Sequence, residues 1–180
     1  MTLETPRLWL RQWRETDRVP FAALNADPEV MSCFPSTLTR AASDAMLDRC
    51  RDAIAARGWG LWALERKAGG DFIGFVGLSV PGADLPFSPC VEIGWRLARA
   101  AWDQGYATEA AREALRVGFT QLGLDEIVSF TAIGNARSRA VMVRLGMTGD
   151  PHTFEHPAIA PGHPLREHCL YRLRRADWQA

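Results

Sequence analysis

Residues 91–122 constrain the fold more than any other part of the chain. Val91, Ile93, Trp95 and Leu97 are apolar at every second position, with Glu92, Gly94 and Arg96 between them, which is the pattern of a strand with two unlike faces. After Trp102-Asp103-Gln104-Gly105 the period changes. Ala107, Ala111, Leu115, Gly118 and Leu122 form one stripe of a helix over 106–122, Glu109, Arg112, Glu113 and Arg116 lie largely outside it, and Gly123 is placed to end it. A strand over 127–131 follows. A strand, a helix and a second strand in this succession close as a right-handed crossover between parallel strands, so the chain must contain a sheet with at least one parallel pair and a helix laid across it.

The remaining punctuation extends that unit in both directions. Alternation over 7–13 gives a first strand, and helical spacing over 17–25 and 40–57 gives two helices, the second stopped by Gly58. Aromatic and β-branched runs over 59–66 and 72–80 read as two strands joined through Lys67-Ala68-Gly69-Gly70-Asp71, and Pro81, Pro86 and Pro89 enforce a loop before the central strand. A short helix over 136–145 ends at Gly146, and strands over 148–154 and 165–173 close the chain around a loop rich in Pro and His. The order is β-α-α-β-β-β-α-β-α-β-β, an α/β (α+β) class with a mixed sheet of about seven strands flanked by helices, in one domain over 1–180.

Composition removes whole classes of function. With 21 basic and 21 acidic side chains the formal charge is zero, so a nucleic-acid partner gripped by general electrostatics is not expected. No apolar run approaches the roughly 18 residues of a membrane span, and Met1-Thr2-Leu3-Glu4-Thr5-Pro6 does not read as a signal sequence, so the expectation is a cytoplasmic protein without a membrane partner. Cys33, Cys50, Cys90 and Cys169 lie far apart with no metal or redox spacing and read as reduced thiols. Only Lys67 among the cations is lysine, a bias of GC-rich bacterial coding rather than of chemistry.

The turn before residue 106 carries the first chemical signal. Unsatisfied N–H groups at a helix N-terminus favour an anion, and Gly105 and Ala107 let a pyrophosphate approach the backbone. The turn has neither the G-x-x-x-x-G-K-[ST] of a P-loop nor the G-x-G-x-x-G of a dinucleotide fold.

From here the chain resembles the GNAT superfamily of acetyl-CoA-dependent N-acetyltransferases, nearest to its ribosomal-protein-alanine (Rim-type) branch. The resemblance rests on the order of Thr5-Pro6-Arg7-Leu8 with Leu10-Arg11, Asp27-Pro28-Glu29-Val30-Met31, Gly74-Phe75-Val76-Gly77-Leu78, Glu92-Ile93-Gly94-Trp95, Gly105-Tyr106-Ala107-Thr108-Glu109-Ala110, and Asn135-x-x-Ser138 followed by Arg144-Leu145-Gly146-Met147. The superfamily turn Gln/Arg-x-x-Gly-x-Gly/Ala falls on 102–107, with Trp102 departing at its first position. The resemblance implies that the backbone of Ile93, Trp95 and Leu97 holds the pantetheine arm like an added strand. It implies that Gln104, Gly105, Tyr106, Ala107 and Thr108 hold the pyrophosphate, that Asn135 hydrogen-bonds the pantetheine, and that Ser138 sits near the thiol. Asn135 reads equally well as a helix N-cap, and both roles can coexist. Arg99 or Arg139 is the expected contact of the 3′-phosphate.

Transfer needs a neutral amine, a stabilised oxyanion and a proton for the departing thiolate. Glu92, on the polar face of its strand and at the position where the superfamily often has a glutamate, is the candidate base; the alternative is a carboxylate paired with an Arg or with water. The superfamily's usual acid, a tyrosine, is replaced by Met142, which leaves Ser138 as the nearest donor and Tyr106 as a distant second. Phe34, Trp62 and His156 are the candidate acceptor-pocket residues, with core packing the alternative for Phe34 and Trp62. His152, His156, His163 and His168 match no zinc spacing, so no metal is expected. The expectation is an N-acetyltransferase using acetyl-CoA as cosubstrate and acting on a primary amine in a ternary complex, with a homodimer left open. The alternatives are a non-catalytic acyl-CoA-binding or regulatory domain and a resistance-type enzyme acting on an antibiotic or polyamine.

Overall fold

Thr39 and Gly58 bracket the longest helix. The Thr39 hydroxyl accepts from the Ala42 N–H at 3.2 Å, and Gly58, at φ +80°, supplies the left-handed residue that ends it, so the helix runs Arg40–Arg57 as its spacing predicts. The computed structural model describes residues 1–82 and 84–179. In chain order its elements are β1 (Leu3–Glu4), β2 (Leu8–Arg11), α1 (Arg18–Ala26), α2 (Arg40–Arg57), β3 (Leu61–Arg66), β4 (Phe72–Ser79), β5 (Glu92–Leu97), α3 (Tyr106–Thr120), β6 (Glu126–Ala132), α4 (Ala136–Arg144), β7 (Thr148–Glu155) and β8 (Glu167–Arg174).

All eight strands form one mixed sheet in the order β1-β2-β3-β4-β5-β6-β8-β7, one strand more than expected. The extra strand is β1, two residues long, paired as Leu3↔Leu10 and Glu4↔Trp9; a pair of residues carries no period to read. The first expected strand is shorter than its alternation. Trp13 leaves the ladder to bury its ring and donate Nε1–H to the Leu61 carbonyl at 2.7 Å. The expected crossover is present: β5 and β6 are parallel and α3 connects them, while the other strand pairs are antiparallel.

Register sorts side chains to the two faces. Phe75 lies opposite Arg96, and Phe75 packs against Phe21 of α1, with ring centroids 6.0 Å apart, so α1 covers the face that carries Glu92, Gly94 and Arg96. Leu78 lies opposite Ile93, and a Cβ on Gly118 of α3 would stand 3.2 Å from Leu78 and 2.5 Å from Ile127, so α3 covers the other face at close range. Leu8, Leu10, Phe21, Leu47, Leu64, Leu78, Ile93, Leu115 and Ile127 are essentially inaccessible and make the core. Beneath α1, Arg11 is fixed by Asp17 through two 2.8 Å hydrogen bonds and by Glu65 at 2.6 Å. No helix among the described residues is long and apolar enough to cross a membrane.

Candidate active site

The two parallel strands part almost as soon as they meet. Glu92↔Val128 is the register pair, with the Val128 N–H donating to the Val91 carbonyl at 2.9 Å, and beyond it β5 and β6 diverge. A cavity of about 640 Å³ fills the gap. One wall carries Glu92, Gly94, Trp95, Arg96 and Leu97 of β5, and the opposite wall carries Ser129, Phe130 and Thr131 of β6. An extended ligand with amide groups can satisfy the main chain of β5 here as a neighbouring strand would.

The gap runs into the N-terminus of α3. Gly105 caps the helix at φ +78° and has no side chain over the first turn, and Tyr106, Ala107 and Thr108 line the cavity with the N–H groups a helix leaves unpaired at its start. Arg7 holds this turn from a hundred residues away. Its Nε–H donates to Glu109 Oε2 at 2.6 Å, its Nη1–H to the Gln104 carbonyl at 2.9 Å, and its guanidinium lies 4.5 Å from the Tyr106 ring centroid. Thr5 and the Arg7 N–H also donate to Glu109 Oε1. Burial raises the Glu109 pKa, but these donors outweigh it and hold the carboxyl below the usual range. Gln104 is turned aside, donating to the Ala100 carbonyl at 2.8 Å, and does not line the cavity.

Glu92 and Arg96 share the polar face of β5. Glu92 lines the cavity beside Gly94, and burial without a compensating donor pushes its carboxyl up to about 8, so it is mostly protonated at pH 7. Arg96 lies with its guanidinium carbon 4.3 Å from the Phe34 ring centroid, and its Nη1–H donates to Asn25 Oδ1 at 2.6 Å. Phe34, Cys33 and Pro35, from the loop after α1, form the outer lip, which brings Phe34 to the pocket as expected. Ile93 points to the α3 face, is fully buried and, unlike Trp95 and Leu97, does not line the cavity. Trp62 does not reach the pocket. It pairs with Val76, on the α3 side of the sheet and two strands from the gap, and is completely buried.

The helix after β6 offers Arg137, Ser138, Val141 and Arg144 to the cavity at spacings of one turn. Asn135 caps it, accepting from the Ser138 N–H at 3.1 Å and donating to Thr131 Oγ1 at 2.9 Å, so the N-cap role is present and Asn135 also lines the cavity. Met142 is buried in the core rather than turned to the gap. Arg137 packs over the Trp102 ring at 4.1 Å. Arg99 is tied to Glu29 and Asp27, and Arg139 to Tyr171 and the Ile133 carbonyl; neither lines the gap, where Arg137 and Arg144 stand instead.

His156 lines the cavity together with His168, which the sequence marks only as one of four histidines without zinc spacing. Their ring centroids are 4.9 Å apart. His156 Nδ1 accepts from the Ala158 N–H at 3.2 Å, and His168 Nδ1 lies 3.1 Å from the Arg166 carbonyl. Burial lowers the pKa of both, the Arg166 carbonyl opposing it at His168, so both rings are neutral at pH 7. Among the described residues no group of three or more His, Cys, Asp or Glu could hold a metal, and the four cysteines are free thiols.

Known proteins share this architecture. A family model described as an acetyltransferase (GNAT) domain matches residues 7–148. The FsC-acetyl coenzyme A-N(2)-transacetylase of Aspergillus fumigatus is 35% identical over 98% of this chain and 77% of its own length. A GNAT-family acetyltransferase from Bacillus anthracis superposes with a TM-score of 0.80 at 21% identity, covering 98% of this chain and 99% of its own. Mycobacterium smegmatis RimJ in complex with CoA-disulfide does so with a TM-score of 0.73 at 21% identity, covering 97% and 86%. With the family model over most of its length and a relative of this identity, the chain belongs to the GNAT acetyltransferases.

Proposed function

We propose that the protein is a single-domain N-acetyltransferase that moves the acetyl group of acetyl-CoA directly to a primary amine in a ternary complex. The observation that carries this reading is that the parting of β5 and β6, the first turn of α3 and the carboxyl of Glu92 all open on one cavity. The A. fumigatus relative, whose name assigns it transfer from acetyl coenzyme A to an N(2) atom, supports an amino nitrogen as acceptor. The residues present fit the cosubstrate: a glycine with no side chain over the helix N-terminus for the pyrophosphate, and an unpaired strand edge for the pantetheine amides.

When bound, acetyl-CoA supplies an activated acyl thioester. The main chain of Ile93, Trp95 and Leu97 and the side chain of Asn135 hold the pantetheine, Gly105, Tyr106, Ala107 and Thr108 hold the pyrophosphate, and Trp102 with Arg137 flanks its outer end. Gln104 contributes only its place in the turn. Glu92 in its ionised form takes the proton of the acceptor amine, and the Ser138 hydroxyl, which has no partner among the described residues, stands ready to return a proton to the thiolate. Phe34 and His156 border the acceptor.

Calorimetric titration with CoA, together with a thiol-release assay over a panel of amines, tests the reading. Micromolar CoA binding with amine-dependent thiol release is the expected result, and a failure to bind CoA overturns it. The burial of Met142 at the position of the usual acid favours one second reading, a non-catalytic acyl-CoA-binding domain, for which CoA binds and no amine is acetylated.

A further inference from the structure

Arg11 and Arg96 are both sunk into the protein, and the fold treats them differently. Arg11 is met by two carboxylates. Arg96 has none within 4 Å among the described residues; burial is the main influence on its guanidinium and pulls it down to about 10, still a cation at neutral pH. A largely buried cation without a counter-charge costs stability, and a carboxylate on a ligand entering the cavity would offset that cost.

The group is held for that task. Asn25, fully buried and itself fixed by a 2.9 Å hydrogen bond from its Nδ2–H to Ser43 Oγ, orients Arg96 through Nη1. Phe34 and Phe75 lie against its plane, with ring centroids 4.3 and 5.5 Å from the guanidinium carbon. Nε is enclosed, while Nη2 makes no hydrogen bond to the described residues and is not enclosed, which leaves it for a ligand. Between Arg96 and Glu92 stands only Gly94, where an added Cβ would meet nothing closer than Glu92 Oε1 at 3.7 Å, so the floor between the two charged positions is clear. Four residues of strand separate their Cα atoms by roughly 13 Å, and both side chains stand on the same face of β5.

The other carboxylates of the cavity offer little to a polycation. Glu29 is paired with Arg99, and Asp103 stands on the turn before α3, at the cofactor end.

We infer that Arg96 reads the acceptor: its free Nη2 binds a carboxylate carried by the amine substrate, so that the acceptor class is an amino acid or another amine bearing a carboxylate, rather than a polyamine or other polycation. The inference rests on the acetyltransferase reading above and assigns its acceptor.

The test uses matched acceptors that differ in the carboxylate: ornithine against putrescine, lysine against cadaverine, and a dipeptide against its C-terminal amide. Thiol release should favour the carboxylate member of at least one pair by about tenfold or more in kcat/KM, mostly through KM, as expected for a charge-assisted contact to Arg. Arg96→Gln should collapse that preference, lowering kcat/KM for the carboxylate member about tenfold more than for its decarboxylated partner, and Arg96→Lys should restore part of the difference. Equal use of both members by the wild-type protein, or an Arg96→Gln protein that binds CoA normally and loses both members equally, overturns the inference. If none of the six is acetylated, each is titrated into the CoA-saturated protein: carboxylate-dependent binding lost in Arg96→Gln supports the inference, and no such binding overturns it. Absence of CoA binding to the wild-type protein overturns the acetyltransferase reading instead.

Discussion

If Glu92 is the base, the pH dependence of its removal is fixed by its surroundings. With the carboxyl at about 8, the ionised fraction is about nine in ten at pH 9, one in ten at pH 7 and one in a hundred at pH 6. A positioned base contributes typically about 10²–10⁴-fold. Taking about 10³ for the ionised form, the ratio of wild-type to Glu92→Gln kcat/KM is close to 10³ at pH 9 and falls to about 10 at pH 6. The acceptor amine titrates over the same range, but it does so identically in both proteins and cancels from the ratio. The assay is thiol release at saturating acetyl-CoA from pH 6 to 9. A ratio that stays flat across that range refutes the assignment, whatever the size of the rate loss.

The same carboxyl makes a second readout that needs no turnover. Its folded-state pKa of about 8 lies above the ordinary 4.5, so the native state holds the proton more tightly than the unfolded state. Stability is therefore lost as pH rises from about 4.5 to about 8, by at most about 5 kcal/mol and less where cavity water relaxes the charge. Glu92→Gln escapes that loss. Its melting temperature should match the wild-type value near pH 4.5 and exceed it at pH 9, and equal melting temperatures at pH 9 would show that the carboxyl is not desolvated.

Three further outcomes follow from the scaffold. Gly105→Val places a β-branched residue at φ +78° over the first turn of α3 and should weaken CoA binding at least tenfold by calorimetry; an unchanged Kd removes the pyrophosphate from this turn. Glu109→Gln should cost about 1 kcal/mol in urea denaturation at pH 7 and progressively less as the pH is lowered below about 4.5, because a carboxyl held below its usual pKa stabilises the fold above that value and loses the contribution as pH falls through its own lowered value. Asp17→Asn should cost about 3 kcal/mol in the same measurement, since Asp17 is 2% exposed and supplies both oxygens to the guanidinium of Arg11.

The end of the cavity proposed above for acetyl-CoA was legible because it is local. A strand, a turn and a helix that follow one another within thirty residues, and that offer main-chain atoms to the ligand, announce themselves through alternation, a glycine and a change of period. The crossover, the Arg40–Arg57 helix and the cap at Asn135 all stand where spacing and capping chemistry put them. Gln104, read as a pyrophosphate contact, and Trp62, read as pocket lining or core, do not line the cavity. A strand period says that Trp62 is apolar and on one face, but which face looks toward the gap is decided by the register of β3 on β4 and by the strand order, neither of which a period contains.

The end proposed for the acceptor is made differently. Arg96 is set by Asn25, 71 residues earlier, and the cavity around it is closed by the loop after α1 and by the segment between β7 and β8 that carries Ala158 and Ile159. Each contributor is a side chain from a separate stretch of chain, so no local pattern joins them, and the polar face of β5 could be seen only as facing something polar. The same division explains the clamp between Arg7 and Glu109, 102 residues apart, which appears in the sequence as two unrelated charges. It also lets the two ends vary independently. The loop after α1 and the segment between β7 and β8 line the cavity apart from the β5 main chain and the first turn of α3, so on the reading proposed above acceptor preference is sought in side chains such as Arg96 and Phe34 rather than carried over from the fold.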